Sequence, residues 1–266
     1  MEATSRPLAV VTGASSGIGL ELAKVLAADG YDLIVAAEDT DIQTAAQGIR
    51  DAGNGAEAVQ VDLATEAGVN ELYTRIRVGA RPVEVAVLNA GIGRGGPFVE
   101  NPLEDELKVI DLNVRGTTHL AKLVLRDMVS RDSGRVLITS SIGAEIPGAF
   151  NAVYNATKSY VQSLGLALRE ELKDSEVSVT LLMPGPTETE FFERAEMTDT
   201  DTGGDPSKQD DPADVARQGY EALMNGDEQV IAGSLSTRLQ GHLGKVAPDR
   251  VKAKMHRGMA EPGSGE

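Results

Sequence analysis

The sequence predicts an α/β protein built on a doubly wound, seven-stranded, mainly parallel sheet with helices on both faces. Three observations predict it. Seven short apolar runs recur along the chain, and each is followed by a longer stretch with helical periodicity. The runs are nearly continuously apolar rather than alternating, as expected of parallel strands covered on both faces. A glycine-rich turn stands between the first run and the first helix, where an α/β sheet of this kind binds an anion.

In order, the strand candidates are LAVVT at 8–12, DLIVAA at 32–37, AEAVQV at 56–61 and VEVAVL at 83–88. They continue with RVLITS at 135–140, VSVTLL at 177–182 and EQVIAG at 228–233. Between them, NPLEDELKVIDLNV sets Leu103, Leu107, Ile110 and Val114 at helical spacing, which predicts an amphipathic helix. In DDPADVARQGYEALMNG, Asp211 suits an N-cap, Pro212 the first turn and Gly226 the C-terminal stop. No internal repeat or long linker interrupts the chain before residue 195, so a single domain over 1–266 is the simplest account, with a core at 8–233 and a tail at 234–266. The polar stretch AEMTDTDTGGDPSKQDDP reads either as a surface loop or, within 186–211, as a lid over a substrate cleft.

Composition excludes several function classes. Hydrophobic residues make up 41% and charged residues 25%, the balance of a soluble globular chain long enough to bury a substantial core. With 25 Lys and Arg against 41 Asp and Glu, the net charge of −16 repels nucleic acid and anionic membranes. Aromatics at 3% without Trp give no stacking platform for bases or sugars. The basic cluster RVKAKMHRG at 250–258 reads as a solvated helix face. The absence of Cys removes disulfides, thiolate catalysis and thiolate metal sites. His119, His242 and His256 lack ligand spacing, so no metal is expected. The first residues carry neither a basic leader nor a long apolar run, and the expected location is the cytoplasm.

The chemistry begins at TGASSGIGLELAKVLAADG, which sets Gly13, Gly17 and Gly19 at the first strand-to-helix turn. Glycines there permit a tight turn, a close approach to a pyrophosphate and close helix against strand packing, so the turn predicts dinucleotide binding. A second feature is AVYNATKSY, in which Tyr154 and Lys158 stand four apart, one above the other on a helix. A free phenol, with a pKa of about 10, is ionised to only about one part in a thousand at neutral pH and is a poor general base. An ammonium ~4 Å away at an effective dielectric near 20 would favour the phenolate by about 4 kcal/mol, up to roughly three pKa units before desolvation opposes it. Taken alone, the same pair also fits a Tyr packed on the core beside a solvated Lys.

Six ordered markers connect these features. They are TGASSGIG with Thr12 at its head, LNAG at 88–91, Asn113 in DLNVRG, a Ser in ITSSIGAEIPG, the Tyr154/Lys158 pair and Pro184-Gly185 in MPGPTETEFF. Over about residues 8–233 the chain resembles the short-chain dehydrogenase/reductase family, which implies a Rossmann-type fold. The resemblance implies a nicotinamide cofactor held by Thr12, Gly13, Ser15, Ser16, Gly17, Ile18 and Gly19, by Glu38, by Asp62 and Leu63, and by Asn89, Ala90 and Gly91. It adds Tyr154, Lys158, Pro184, Gly185, Thr187 and Thr189 to the cofactor contacts. Asp62 corresponds to the family's adenine contact or caps the next helix. At Thr187, where the family often has a small aliphatic residue, the backbone is the expected contact.

The implied reaction interconverts a secondary alcohol and a ketone. Tyr154 exchanges the proton with the carbonyl oxygen, Ser141 hydrogen-bonds that oxygen, Lys158 holds the nicotinamide ribose, and Asn113 holds a water of the proton relay. Ser140 is the rival of Ser141. After the second strand Ala37 replaces the Asp common in NAD enzymes, while Glu38 and Asp39 stand where a 2′-phosphate would need a cation. Carboxylates accept ribose hydroxyls and repel a 2′-phosphate, which favours NAD(H) over NADP(H) unless both side chains turn outward and another cation meets the phosphate. Two other readings compete: a nucleotide-binding sensor or scaffold with vestigial catalysis, and a lyase or dehalogenase on the same fold. The complete Ser, Tyr, Lys and Asn set disfavours the first, and the dinucleotide glycines disfavour the second. The substrate is a small molecule whose pocket would come from GAEIPGAFNAV, the 186–211 segment and the tail. The resemblance implies a homotetramer or homodimer through helices at about 103–129 and 154–173.

Overall fold

A computed structural model describes residues 6–265, apart from the side chains of 242–246, so the reading of His242 lies outside the described residues. Strand β1 (Leu8–Thr12) occupies the middle of the sheet, flanked by β2 (Asp32–Ala37) and then β3 (Ala56–Gln60). The chain then crosses back to β4 (Val83–Leu88), on the other side of β1, and continues outward through β5 (Gly134–Thr139), β6 (Val177–Pro184) and β7 (Gln229–Ala232). All six pairings are parallel, so the mainly parallel sheet of the sequence reading is wholly parallel. The reversal between β1 and β4 opens a crevice at the carboxyl ends of the strands.

Strand alternation divides the core into two layers. Leu8, Val10, Val136 and Ile138 face one side with Leu120, Val124 and Met128 of α5 (Thr117–Ser130). Ala9, Val11, Val85 and Val87 face the other, against Leu22 and Leu26 of α1 (Gly17–Ala28) and Val215 and Leu223 of the helix over Pro212–Asn225. That last helix has the capping read from the sequence. Asp211 accepts the N–H of Ala213 at 2.7 Å, and Gly226 ends it in the left-handed region at φ 73°.

One helix faces the wrong way for the sequence reading. Leu103–Ile110 forms α4 as predicted, but Leu103, Leu107 and Ile110 are exposed, while Glu106 and Val109 are buried. The buried face is instead Glu106, Val109 and Asn113, three and four residues apart, the last of them in a π-helical turn at Asp111–Gly116 that joins α4 to α5. The tail forms two helices, Leu235–Val246 and Asp249–Ala260, the second carrying the basic cluster that the sequence places on a helix. No helix among the described residues is long and apolar enough to cross a membrane.

Candidate active site

The glycine turn forms the floor of the crevice. Gly13 and Gly17 adopt φ +63° and +54°, a region costly for other residues. At Gly19 the constraint is space, because a Cβ there would stand 2.0 Å from the carbonyl oxygen of Gly13. Ser16 is the N-cap of α1 but makes no capping bond with its side chain, so the first amides of the helix face the crevice without a side-chain acceptor. These features fit the pyrophosphate of a dinucleotide.

Thr12 ties the turn to the next strand. Its hydroxyl donates to the carbonyl of Val87 at 3.2 Å and accepts from the amides of Asn89 and Ala90 at 3.0 and 3.1 Å. Asn89 in turn donates to the carbonyls of Thr12 and Gly13 at 3.2 and 3.3 Å and accepts from Thr139 at 3.0 Å. Asn113, buried in the π-helical turn, clamps the chain just beyond Gly91. Its Oδ1 accepts from the Ile92 amide at 3.0 Å, and its Nδ2 donates to the Ile92 carbonyl at 2.8 Å and to Thr157 at 3.0 Å. A Cβ on Gly91 would lie 3.1 Å from Lys158 Nζ and 3.2 Å from Asn113 Oδ1, so Asn113 and Lys158 meet over this glycine.

Tyr154 and Lys158 stand on a helix over Ala152–Glu171, beneath a 3₁₀ turn at Ile142–Glu145. Ser141 caps that turn by accepting the Gly143 amide at 3.0 Å, and it lines the same cavity as the Tyr154 phenol, whose pKa its hydroxyl lowers. Ser140 is committed elsewhere, because its hydroxyl is 1% exposed and donates to the Lys158 carbonyl at 2.9 Å. The electrostatics differ from the sequence expectation. Lys158 Nζ donates to the Thr139 carbonyl at 2.9 Å and lies 5.6 Å from the centre of the Tyr154 ring. Burial dominates both groups. It pushes the phenol up to about 12, against the opposing pull of the Ser141 hydroxyl, and pulls the ammonium down to about 8.

The remaining cofactor candidates converge on the same crevice. Ser15, Ser16, Gly17, Ile18, Glu38, Asp62, Leu63, Pro184, Gly185, Thr187 and Thr189 all line one cavity of about 380 Å³ with Tyr154 and Lys158. Glu38 has a cation beside it, Lys108 Nζ at 3.3 Å. Asp62 does not cap the next helix as one sequence reading allowed. It accepts the Ala64 amide at 2.9 Å, while Thr65 caps α3 (Glu66–Val78) through the Gly68 amide at 3.0 Å. Thr187 turns its hydroxyl inward to the Gly185 carbonyl at 2.9 Å. Thr189 packs its methyl against Gly17, where an added Cβ would lie 2.8 Å from it.

The rest of the cavity wall was only partly legible. The 186–211 segment is ordered: Phe191–Arg194 forms a short helix with the Phe191 ring 5.1 Å from that of Tyr154. Two further bonds fix the segment to the tail, from the Thr202 amide to the Met259 carbonyl at 3.3 Å and from the Gly265 amide to the Asp199 carbonyl at 3.0 Å. The basic cluster at 250–258 is not a solvated face throughout. Lys252 donates to the Glu145 carbonyl at 2.7 Å, and Lys252, Met255 and His256 line the cavity. A basic count carries no signal for this, because the inward face is chosen by packing. Phe191, Phe192, Met197 and Arg194 were likewise missed, and the adjacent Phe pair in ETEFFER was the available signal.

A family model described as short chain dehydrogenase matches residues 7–200. Human 17-beta-hydroxysteroid dehydrogenase type 1 is 35% identical over 197 residues, which cover 71% of this chain and 60% of that protein, so the chain spans about three fifths of this relative's length. A short-chain dehydrogenase from Sphingobium yanoikuyae, solved in complex with NADPH, superposes with a TM-score of 0.77 at 30% identity, covering 85% of this chain and 87% of the other. A short chain dehydrogenase/reductase from Burkholderia phymatum, solved with NAD, has the same fold at a TM-score of 0.80 and 24% identity, with 91% and 94% covered. With its glycine turn, its Ser141, Tyr154 and Lys158 cluster and a family match over most of its length, the chain belongs to the short-chain dehydrogenase/reductase family.

Proposed function

We propose that the protein is an NAD(P)(H)-dependent oxidoreductase that interconverts a secondary alcohol and a ketone, with Tyr154 as general acid and base. The observation that carries this reading is the shared cavity: Ser141, Tyr154 and Lys158 open into the same space as the glycine turn. A nicotinamide dinucleotide bound on that turn supplies or accepts hydride at the substrate carbon. In reduction, Tyr154 Oη gives its proton to the carbonyl oxygen, and Ser141 Oγ donates a hydrogen bond to the same oxygen. Lys158, buried and bonded to Thr139, would hold the nicotinamide ribose, and Asn113 holds the Gly91–Ile92 backbone in place.

Glu38 and Asp39 support NAD(H), while the cations beside them and the NADPH-bound relative support NADP(H). The substrate side is walled by Ile92, Phe191, Phe192, Met197, Met255 and Met259, which favours a bulky apolar ketone. The hydroxysteroid dehydrogenase relative points to the same class of substrate. Exposed Leu103, Leu107 and Tyr160 on the α4 and Tyr154 helices support a homo-oligomer, which light scattering of the purified chain checks. The decisive experiment follows nicotinamide absorbance with NADH and NADPH across a panel of ketones and alcohols that includes hydroxysteroids. The expected result is turnover that Tyr154→Phe abolishes. Coenzyme binding with rates unchanged in Tyr154→Phe would instead support a sensor or scaffold.

A further inference from the structure

We propose that Arg194 is a phosphate-binding residue of the dinucleotide site, supplied by the 186–211 segment rather than by the glycine turn. Arg194 lies far along the chain from the turn, yet it lines the same cavity as Ser15, Ser16 and Gly17. Its guanidinium joins two carboxylates there. NH2 lies 2.5 Å from Glu190 Oε2, and NH1 lies 3.6 Å from Asp39 Oδ2. The second separation is too long for a hydrogen bond, so that nitrogen keeps donors to offer.

Those same two oxygens take the hydroxyls of the turn. Ser15 donates to Asp39 Oδ2 at 2.9 Å, and Ser16 donates to Glu190 Oε2 at 3.2 Å. The guanidinium and two hydroxyl donors therefore converge on the uncapped end of α1, which is built to receive an anion. A chain of net charge −16 must bring a phosphate past Glu38, Asp39 and Glu190, and this requires a cation. Three described cations line the cavity. Lys158 is bonded to Thr139 and Lys252 to Glu145, whereas Arg194 is nearly half exposed beside the turn. A planar guanidinium pairs with phosphate in two-point fashion, and the carboxylates hold it in position until a phosphate takes it. Binding of coenzyme would then fix Phe191 and Phe192, four residues or fewer from Arg194, over the substrate side.

The inference rests on the dinucleotide reading of the turn, and the test separates the two. Kd values for NADH and NADPH are measured on the full chain by the coenzyme's own fluorescence, with calorimetry as a check, for wild type, Arg194→Ala, Arg194→Lys and Glu190→Gln. Arg194→Ala is expected to weaken binding about tenfold or more, with partial recovery in Arg194→Lys. Equal losses for both coenzymes assign the contact to the pyrophosphate, and a loss confined to NADPH assigns it to the 2′-phosphate. Glu190→Gln removes a competing anion and is expected to tighten binding severalfold. Wild-type binding with Arg194→Ala within twofold for both coenzymes, or tighter, overturns the assignment. Wild type that binds neither coenzyme overturns the dinucleotide reading itself and the assignment with it.

Discussion

Lys158 carries its charge at a cost to the fold that can be measured. It is 5% exposed, and burial alone lowers its pKa from 10.5 to about 8, with no carboxylate offsetting the loss of water. A depression of that size corresponds to about 3 kcal/mol of stability lost while the side chain remains charged in both states. Lys158→Met keeps a flexible chain of similar reach and removes the charge. It also leaves the Thr139 carbonyl without its 2.9 Å donor, which costs about 1 kcal/mol. The variant should therefore be more stable by about 2 kcal/mol at neutral pH, or about 4 °C in Tm for a chain of this length.

The pH dependence identifies the cause. Between about pH 8 and 10.5 the unfolded wild type binds more protons at this residue than the folded form does, so wild-type stability rises with pH across that window. Lys158→Met lacks this gain, and the two proteins should converge by about pH 10. Urea unfolding of both between about pH 6 and 10 reads this directly. A variant less stable than wild type at pH 7, or a difference that does not change with pH, would refute the reasoning.

Four further predictions follow from the same geometry. Ser141→Ala removes a donor aimed at the reacting oxygen and should lower kcat about 10²- to 10³-fold, while the lost cap on the Gly143 amide costs about 1 kcal/mol in unfolding. Ser140→Ala breaks a buried bond to the Lys158 carbonyl and should cost about 1–3 kcal/mol in unfolding, with a smaller effect on kcat; equal kinetic losses would count against assigning the role to Ser141. Gly19→Ala forces a Cβ to within 2.0 Å of the Gly13 carbonyl, so stability should fall by about 1–3 kcal/mol and NADH affinity by at least tenfold, and an unchanged Kd would contradict the close approach. With its phenol raised to about 12, Tyr154 holds its proton at neutral pH, so alcohol oxidation should accelerate steadily as pH rises while ketone reduction does not; a flat oxidation profile from pH 7 to about 10 would oppose this.

Much of the fold was legible in local pattern. Seven apolar runs became seven strands with ends displaced by two residues or fewer, because a strand buried on both faces must be apolar throughout its length. Asp211 and Gly226 marked a helix correctly because caps are set by nearest neighbours. The glycine turn and the Tyr154/Lys158 pair were visible for the same reason: a turn, a helix start and an i,i+4 pair are short-range geometry.

What required the tertiary structure is where those pieces face and what surrounds them. The stripe of Leu103, Leu107 and Ile110 has the spacing of a buried face yet is exposed, because the face with Glu106, Val109 and Asn113 is the one that packs inward and brings Asn113 to Ile92. The choice of Ser141 over Ser140 depends on which hydroxyl meets the Lys158 carbonyl, a partner eighteen residues away. The sequence supplied the cation beside Tyr154 and noted that desolvation would oppose it, but only the packing decides that desolvation prevails. The pairing of Arg194 with Asp39 was out of reach for the same physical reason, although the sequence named both the 186–211 segment and the tail as pocket wall. Sequence spacing determines which residues share a helix face or a turn, whereas only the packing of distant segments determines which side chains share a dielectric and a counter-ion.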